Sequence, residues 1–165
     1  MSGLSSRALD TLQRGLDKAP ELTNQVLMAA MTEATMLLER EVKEAIPRGA
    51  TGITAGSITG DVFSTPAGVL GVVGSSQPSA VFVELGTRPH MPPVAALVPW
   101  VRSVLGLAEK EAQGVAFLIA RKIARKGTRA QRPFARTLEA NQGQLVRIFE
   151  DAADRLAGQM GGTAA

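Results

Sequence analysis

The sequence contains no cysteine and no tyrosine, a single histidine (His90) and a single tryptophan (Trp100), and its aromatic content is only 4% over 165 residues. Each shortage removes a class of chemistry. Without cysteine there is no disulfide framework, thiolate metal site or thiol nucleophile, and a cytosolic origin is expected. His90 has no visible partners for a triad or a histidine-rich metal site, which leaves a carboxylate pair or a Ser–Lys arrangement as the remaining routes to catalysis. Long hydrophobic runs are missing as well. Nothing approaches the eighteen or so apolar residues of a membrane span, and MSGLSSRALDTLQRGLDKAP lacks the unbroken apolar segment of a signal peptide. No GxxxxGK phosphate loop occurs, since the glycines of GVLGVVG (68–74) fall in strand-like sequence. The expectation is a non-enzymatic protein with no cofactor, no metal and no membrane partner.

What is present is enough to build one domain. Hydrophobic residues make up 45% of the chain, and its mass of 17.3 kDa is ordinary for a single core. The formal charge is +3, unevenly spread: RKIARKGTRAQRPFAR (121–136) holds seven of the eighteen Lys and Arg and no acid. The remainder has eleven bases against fifteen acids, a formal −4. One positive face on a mildly acidic body is the consequence.

Hydrophobic periodicity divides the chain. Leu4, Leu9, Leu12 and Leu16 suggest a short amphipathic helix over 4–18, interrupted at Asp17-Lys18-Ala19-Pro20. From Glu21 to Ile46 there is no Gly or Pro, and Val26, Ala30, Met31, Ala34, Leu37, Leu38, Val42 and Ile46 recur at threes and fours, as in a long helix. Pro47-Arg48-Gly49 stops it. Between 49 and 90 the composition shifts to Gly, Ser, Thr and Val, and SITGDVFS, GVLGVVG and SAVFVELG (79–86) read as three short strands separated by STPAG and SSQPS. Past one proline-rich corner, helices are expected over 94–106, ended by Gly106, and over 108–126, ended by Gly127 with cations in the last turn. A final helix runs from about Pro133 to Ala157. No internal repeat is evident. The pattern predicts an α+β fold: a long N-terminal helix packed through Val26, Ala30 and Leu37 on a small antiparallel β-meander, followed by C-terminal helices. The chain reads as one domain, with an N-terminal helical extension (1–19), a core (20–157) and a loose tail (158–165).

The candidate chemistry is weighed residue by residue. Glu84, near the end of an apolar strand, needs a partner if buried, and Arg88 beyond the Gly86-Thr87 turn is the nearest candidate. Pro89, His90, Pro92 and Pro93 then form a rigid corner that Trp100, one turn into the following helix, is expected to cover; its removal should cost about 3–5 kcal/mol if the ring is buried. The basic segment either contacts phosphates in a salt-dependent way or pairs with acids such as Glu109, Glu111, Glu139, Glu150 and Asp151 on a neighbouring copy. Phe134 is its only aromatic residue, which disfavours base stacking.

Four stretches, IPRGATGITAGSI (46–58), VFVELGTRPHMPP (81–93), ALVPWV (96–101) and ARKGTRAQRPF (124–134), in this order and spacing, resemble the tail-component family of tailed bacteriophages typified by gene product ten of lambdoid phages. The resemblance spans roughly residues 20–157. It departs from the family in the first stretch, where Thr54, Ala55 and Gly56 replace the usual leucine and basic or polar residues. The resemblance implies a structural virion protein, assembled in the host bacterial cytoplasm, that forms a homo-oligomeric ring, expected as a hexamer, at the head–tail junction. It implies contacts with neighbouring neck and tail proteins and a mobile loop at 48–57. Glu84, Arg88, Arg121, Lys122, Arg125, Lys126, Arg129 and Arg132 are then the expected interface or channel-facing residues, with Gly86, Thr87, Pro89, His90 and Trp100 as the structural corner. A tail terminator or minor tail protein is the alternative within the same biology. From another class, a DNA-binding accessory protein would use 121–136, and a hydrolase would need a carboxylate pair in a deep pocket.

Overall fold

A computed structural model of the chain describes the backbone of residues 6–47, 49 and 52–161 and the side chains of 19–47, 49 and 52–160. The order of elements is α1 (Ser6–Ala45), α2 (Ile53–Gly56), β1 (Ile58–Thr65), β2 (Gly68–Ser75), α3 (Pro78–Leu85), α4 (Val94–Leu105), α5 (Glu109–Lys126) and α6 (Pro133–Gly161). The architecture is α+β: a long N-terminal helix, an antiparallel two-stranded sheet and C-terminal helices. Two compact units compose it. The first comprises 1–39, 60–73 and 140–165; the second comprises 40–59 and 74–139.

In the first unit, α1 uses two faces. Ala30, Ala34 and Leu37 pack with Ile148 and Ala152 of α6, joined by Val26, Leu145 and Phe149. Alanine at these positions lets two helices approach closely while still removing apolar surface from water. The expectation that Val26, Ala30 and Leu37 face the strands is therefore corrected. The hairpin instead meets the face carrying Met31, Thr35 and Glu39, spaced by fours and turned about a third of a circle from the first. Two glycines make that approach possible. A Cβ on Gly60 would lie 2.6 Å from the Thr35 methyl, and one on Gly71 would collide with the Thr35 hydroxyl and the Met31 sulfur. The Gly60 N–H donates to the Glu39 carboxylate at 2.8 Å, tying the strand to the helix.

In the second unit, Val98 and Val101 of α4 interlock with Ala112 and Ala116 of α5, with Val94, Leu97, Leu107, Val115 and Ile119 around them. Gly106 ends α4 in the left-handed region (φ 66°) and Gly127 ends α5 (φ 68°), as their positions after the last periodic residues imply. Val42, Ile46 and Ile58 are buried in the same unit.

Other expectations are revised. Asp17-Lys18-Ala19-Pro20 does not break the first helix; α1 runs through Pro20. Proline's fixed φ is itself helical, and Pro20 lies on the exposed side, where water can satisfy the carbonyl that its ring leaves without a donor. Thr23 Oγ1 also bonds the Ala19 carbonyl at 2.7 Å in this turn. Leu4 lies outside the described residues. The third strand of the meander is absent, because 78–85 is the helix α3, started by Pro78 at its first position and closed by Gly86. A short apolar run rich in valine does not distinguish strand from helix by periodicity. Part of the loop expected to be mobile is the single turn α2, while Arg48, Ala50 and Thr51 lie outside the described residues. Likewise α6 extends past Ala157 to Gly161, and 162–165 lie outside the described residues.

Candidate functional site

The tripeptide Gly-Thr-Arg occurs twice, at 86–88 and at 127–129, and the fold sets the two copies against each other. Thr87 and Thr128 form an isolated antiparallel bridge: the Thr87 N–H donates to the Thr128 carbonyl at 3.1 Å and the Thr128 N–H to the Thr87 carbonyl at 3.2 Å. Their hydroxyls lie 3.0 Å apart, and the Thr128 N–H also reaches the Thr87 hydroxyl at 3.1 Å. Each glycine serves the opposite copy. A Cβ on Gly86 would stand 2.5 Å from the Thr128 carbonyl oxygen, and one on Gly127 would sit on the Thr87 carbonyl. Both glycines also have positive φ, 73° and 68°, so side chains are excluded twice over, by backbone conformation and by contact.

The clasp extends on both sides. Gln131 N–H donates to the Val83 carbonyl at 2.9 Å. Glu84 aims its carboxylate at the start of α6, where it accepts from the N–H groups of Phe134 (2.9 Å) and Ala135 (3.2 Å). A carboxylate there satisfies orphan helix donors and meets the positive end of the helix dipole. Glu84 is thus committed to α6, which corrects its expected pairing with Arg88. Next to this cap, Arg132 holds φ 53°, the one described non-glycine residue with positive φ, and pairs with Glu139 at 3.1 Å.

The corner behaves differently from its expectation. His90 Nδ1 lies 2.9 Å from the Arg88 carbonyl, fixing the turn from within, and the ring is exposed. Pro89 is exposed beside it. Trp100 is not buried as expected: it is 37% exposed and lies about 200° round α4 from the buried Val98. The large cost foreseen for removing a buried ring does not apply. A groove of about 390 Å³ at the α4–α5 end is lined by Val94, Val98, Pro99, Arg102, Glu109 and Gln113, with Arg102 and Glu109 ion-paired at 2.6 Å on its rim.

The basic residues divide into two sets. Arg132 is paired within the chain, whereas Arg88, Arg121, Lys122, Arg125, Lys126 and Arg129 are exposed and enter no ion pair among the described residues. The bridge brings Arg88 and Arg129, 41 positions apart in sequence, to its two ends. Of the acids proposed as partners on a neighbouring copy, Glu109 and Glu139 are already engaged inside the chain. The repeated Gly-Thr-Arg is a signal in the sequence that could have marked the clasp and was passed over, because a three-residue repeat is too short to stand out. Nothing local marked Glu84 as a cap, since the helix it caps begins fifty residues later.

Unit charges sharpen the pattern. The second unit carries thirteen bases against six acids, a formal +7, and the first carries five against nine, a formal −4. Among the described residues no group of three or more His, Asp or Glu is placed to hold a metal ion, and no helix is long and apolar enough to cross a membrane. Comparison with known proteins finds no match to this chain among family models, curated proteins or solved structures.

Proposed function

We propose that this chain is a structural subunit of a tailed-phage virion that assembles as a ring at the head–tail junction and joins heads to tails. The observation that carries the reading is the agreement between motif and fold. All four stretches that resemble the phage tail-component family fall in the second unit, and hydrogen bonds tie the second and fourth of them together. Thr54 Oγ1 meets Ser79 Oγ at 2.8 Å just ahead of the second stretch, and the Thr87–Thr128 bridge joins the second to the fourth. Of the residues that make the resemblance specific, Glu84, Gly86, Thr87, Gly127 and Thr128 serve one clasp, while Pro99, Trp100 and Val101 lie on α4. Such a frame suits a subunit that must present fixed surfaces to neighbours.

A second reading, a DNA-binding accessory protein, is favoured by the exposed cations without ion pairs. Phosphate contacts of this kind weaken steeply with salt and carry no sequence preference. The decisive experiment is genetic. In a phage carrying this gene, a nonsense mutation should leave DNA-filled heads and finished tails unjoined, and adding the purified protein should join them. Tailed, infectious particles at normal yield without the protein would overturn the reading.

A further inference from the structure

We infer that a second copy of this chain docks head to tail through one stripe on α5 and one on α6. This rests on the reading of the chain as a self-assembling subunit and names the surfaces used. On α5, an exposed stripe turned about 140° from Ala112, Ala116 and Ala120 presents Phe117, Arg121 and Arg125 at four-residue steps. On α6, the side opposite Ile148 and Ala152 presents Val146, Glu150 and Asp154 at the same steps. All six are exposed, with Phe117 at 47% and Val146 at 54%.

The two stripes match in order as well as in sign. Each starts with an apolar residue and continues with two like charges one helical turn apart. Laid parallel, Phe117 meets Val146, Arg121 meets Glu150 and Arg125 meets Asp154, with Arg147 at the flank of the acidic stripe. Reversing either helix would set the apolar residue of each stripe against a charge of the other, so the pattern also fixes direction. Phe117 and the neighbouring Leu118, 61% exposed, decide between occupants. A phosphate backbone has no use for two large apolar side chains among the arginines, whereas a protein interface wants an apolar centre with a charged rim. The stripes belong to units of opposite formal charge, +7 and −4, which favours the heterologous pairing over like-with-like contact. Because the two surfaces differ, each copy keeps one free after docking, and the series closes into a ring or continues as a filament.

The test uses full-length protein and light scattering at low salt, with circular dichroism as the folding control. Arg121→Glu with Arg125→Glu makes both stripes acidic, and Glu150→Arg with Asp154→Arg makes both basic. Each double variant alone should be monomeric, and an equimolar mixture should regain the wild-type oligomer mass, since every acidic stripe then finds a basic one. A mixture that stays monomeric, or either variant keeping the wild-type mass alone, overturns the inference. If the wild-type chain is oligomeric and the variants are unaffected, the ring reading survives and only these surfaces fail. A monomeric wild-type chain ends both. If duplex DNA retention falls in the arginine variant while oligomer mass does not change, the α5 stripe is a polyanion surface and the inference is wrong. The absence of native cysteine supplies an independent check: Phe117→Cys and Val146→Cys copies should cross-link with a short bismaleimide when mixed and not when either is alone.

Discussion

In the unit formed by 1–39, 60–73 and 140–165, close approach is achieved between side chains: Ala30 and Ala34 meet Ile148 and Ala152, and the strand glycines Gly60 and Gly71 face Thr35 and Met31. In the unit formed by 40–59 and 74–139, close approach at the clasp is between backbones, with Gly86 and Gly127 against the carbonyls of Thr128 and Thr87. A side chain can shift by a rotamer, whereas a bridged backbone cannot yield without losing its hydrogen bonds. The first unit should therefore tolerate substitution better than the second, although both depend on glycine.

Gly127→Ala is the severest test of that contrast. It places a non-glycine residue at φ 68° and drives its Cβ onto the Thr87 carbonyl, combining left-handed strain of about 1–2 kcal/mol with overpacking of about 1–3 kcal/mol. Chemical denaturation should show a loss of about 2–5 kcal/mol. Gly71→Ala should cost less, about 1–3 kcal/mol, because it overpacks only the Thr35 and Met31 side chains and adds no positive-φ strain. Equal losses for the two variants would erase the distinction between the units.

Glu84→Ala comes next, with an expected loss of about 0.5–2 kcal/mol from the uncapped start of α6. Hydrogen exchange sharpens the comparison here: the amides of Phe134 and Ala135 should lose protection, with no change at the Gly60 amide that Glu39 holds. Loss of protection at Gly60 as well would show that the cap is not a local device. The smallest effect belongs to Arg132→Gly. It relieves the backbone at φ 53° and removes an exposed ion pair worth about 0–1 kcal/mol, so thermal melts should change little. A large loss there would assign Arg132 a role in the second unit beyond its pairing with Glu139.

The same contrast explains what could be read in the sequence. The bounds of α4 and α5 were legible because Gly106 and Gly127 stand directly after the last helical residues, Leu105 and Lys126, and the hairpin was legible from alternation around STPAG. The nature of α3 was not, since PSAVFVEL buries only Ala80 and leaves Val81, Phe82 and Leu85 exposed, which hides its helical period. Pro20 misled because a helix break is the usual consequence of an internal proline, and here its position on the exposed side removes most of the reason to stop. Trp100 misled because size suggested burial, while its angle from Val98 placed it outside. Of the candidate site, Glu84, Gly86 and Thr87 were singled out in the sequence, but the pairing of the two Gly-Thr-Arg copies was not, because it is a long-range contact that no local pattern encodes. Charge segregation between the units was only partly visible as the 121–136 run, because each unit is assembled from distant segments.

The proposed assembly joins complementary surfaces on the basic and acidic units of neighbouring copies. Sedimentation velocity of the purified protein across a salt series tests it most directly, since charged contacts are screened as ionic strength rises. A discrete oligomer is expected at low salt, losing mass toward the 17.3 kDa monomer as salt increases. A single species at monomer mass under every salt and concentration would contradict it.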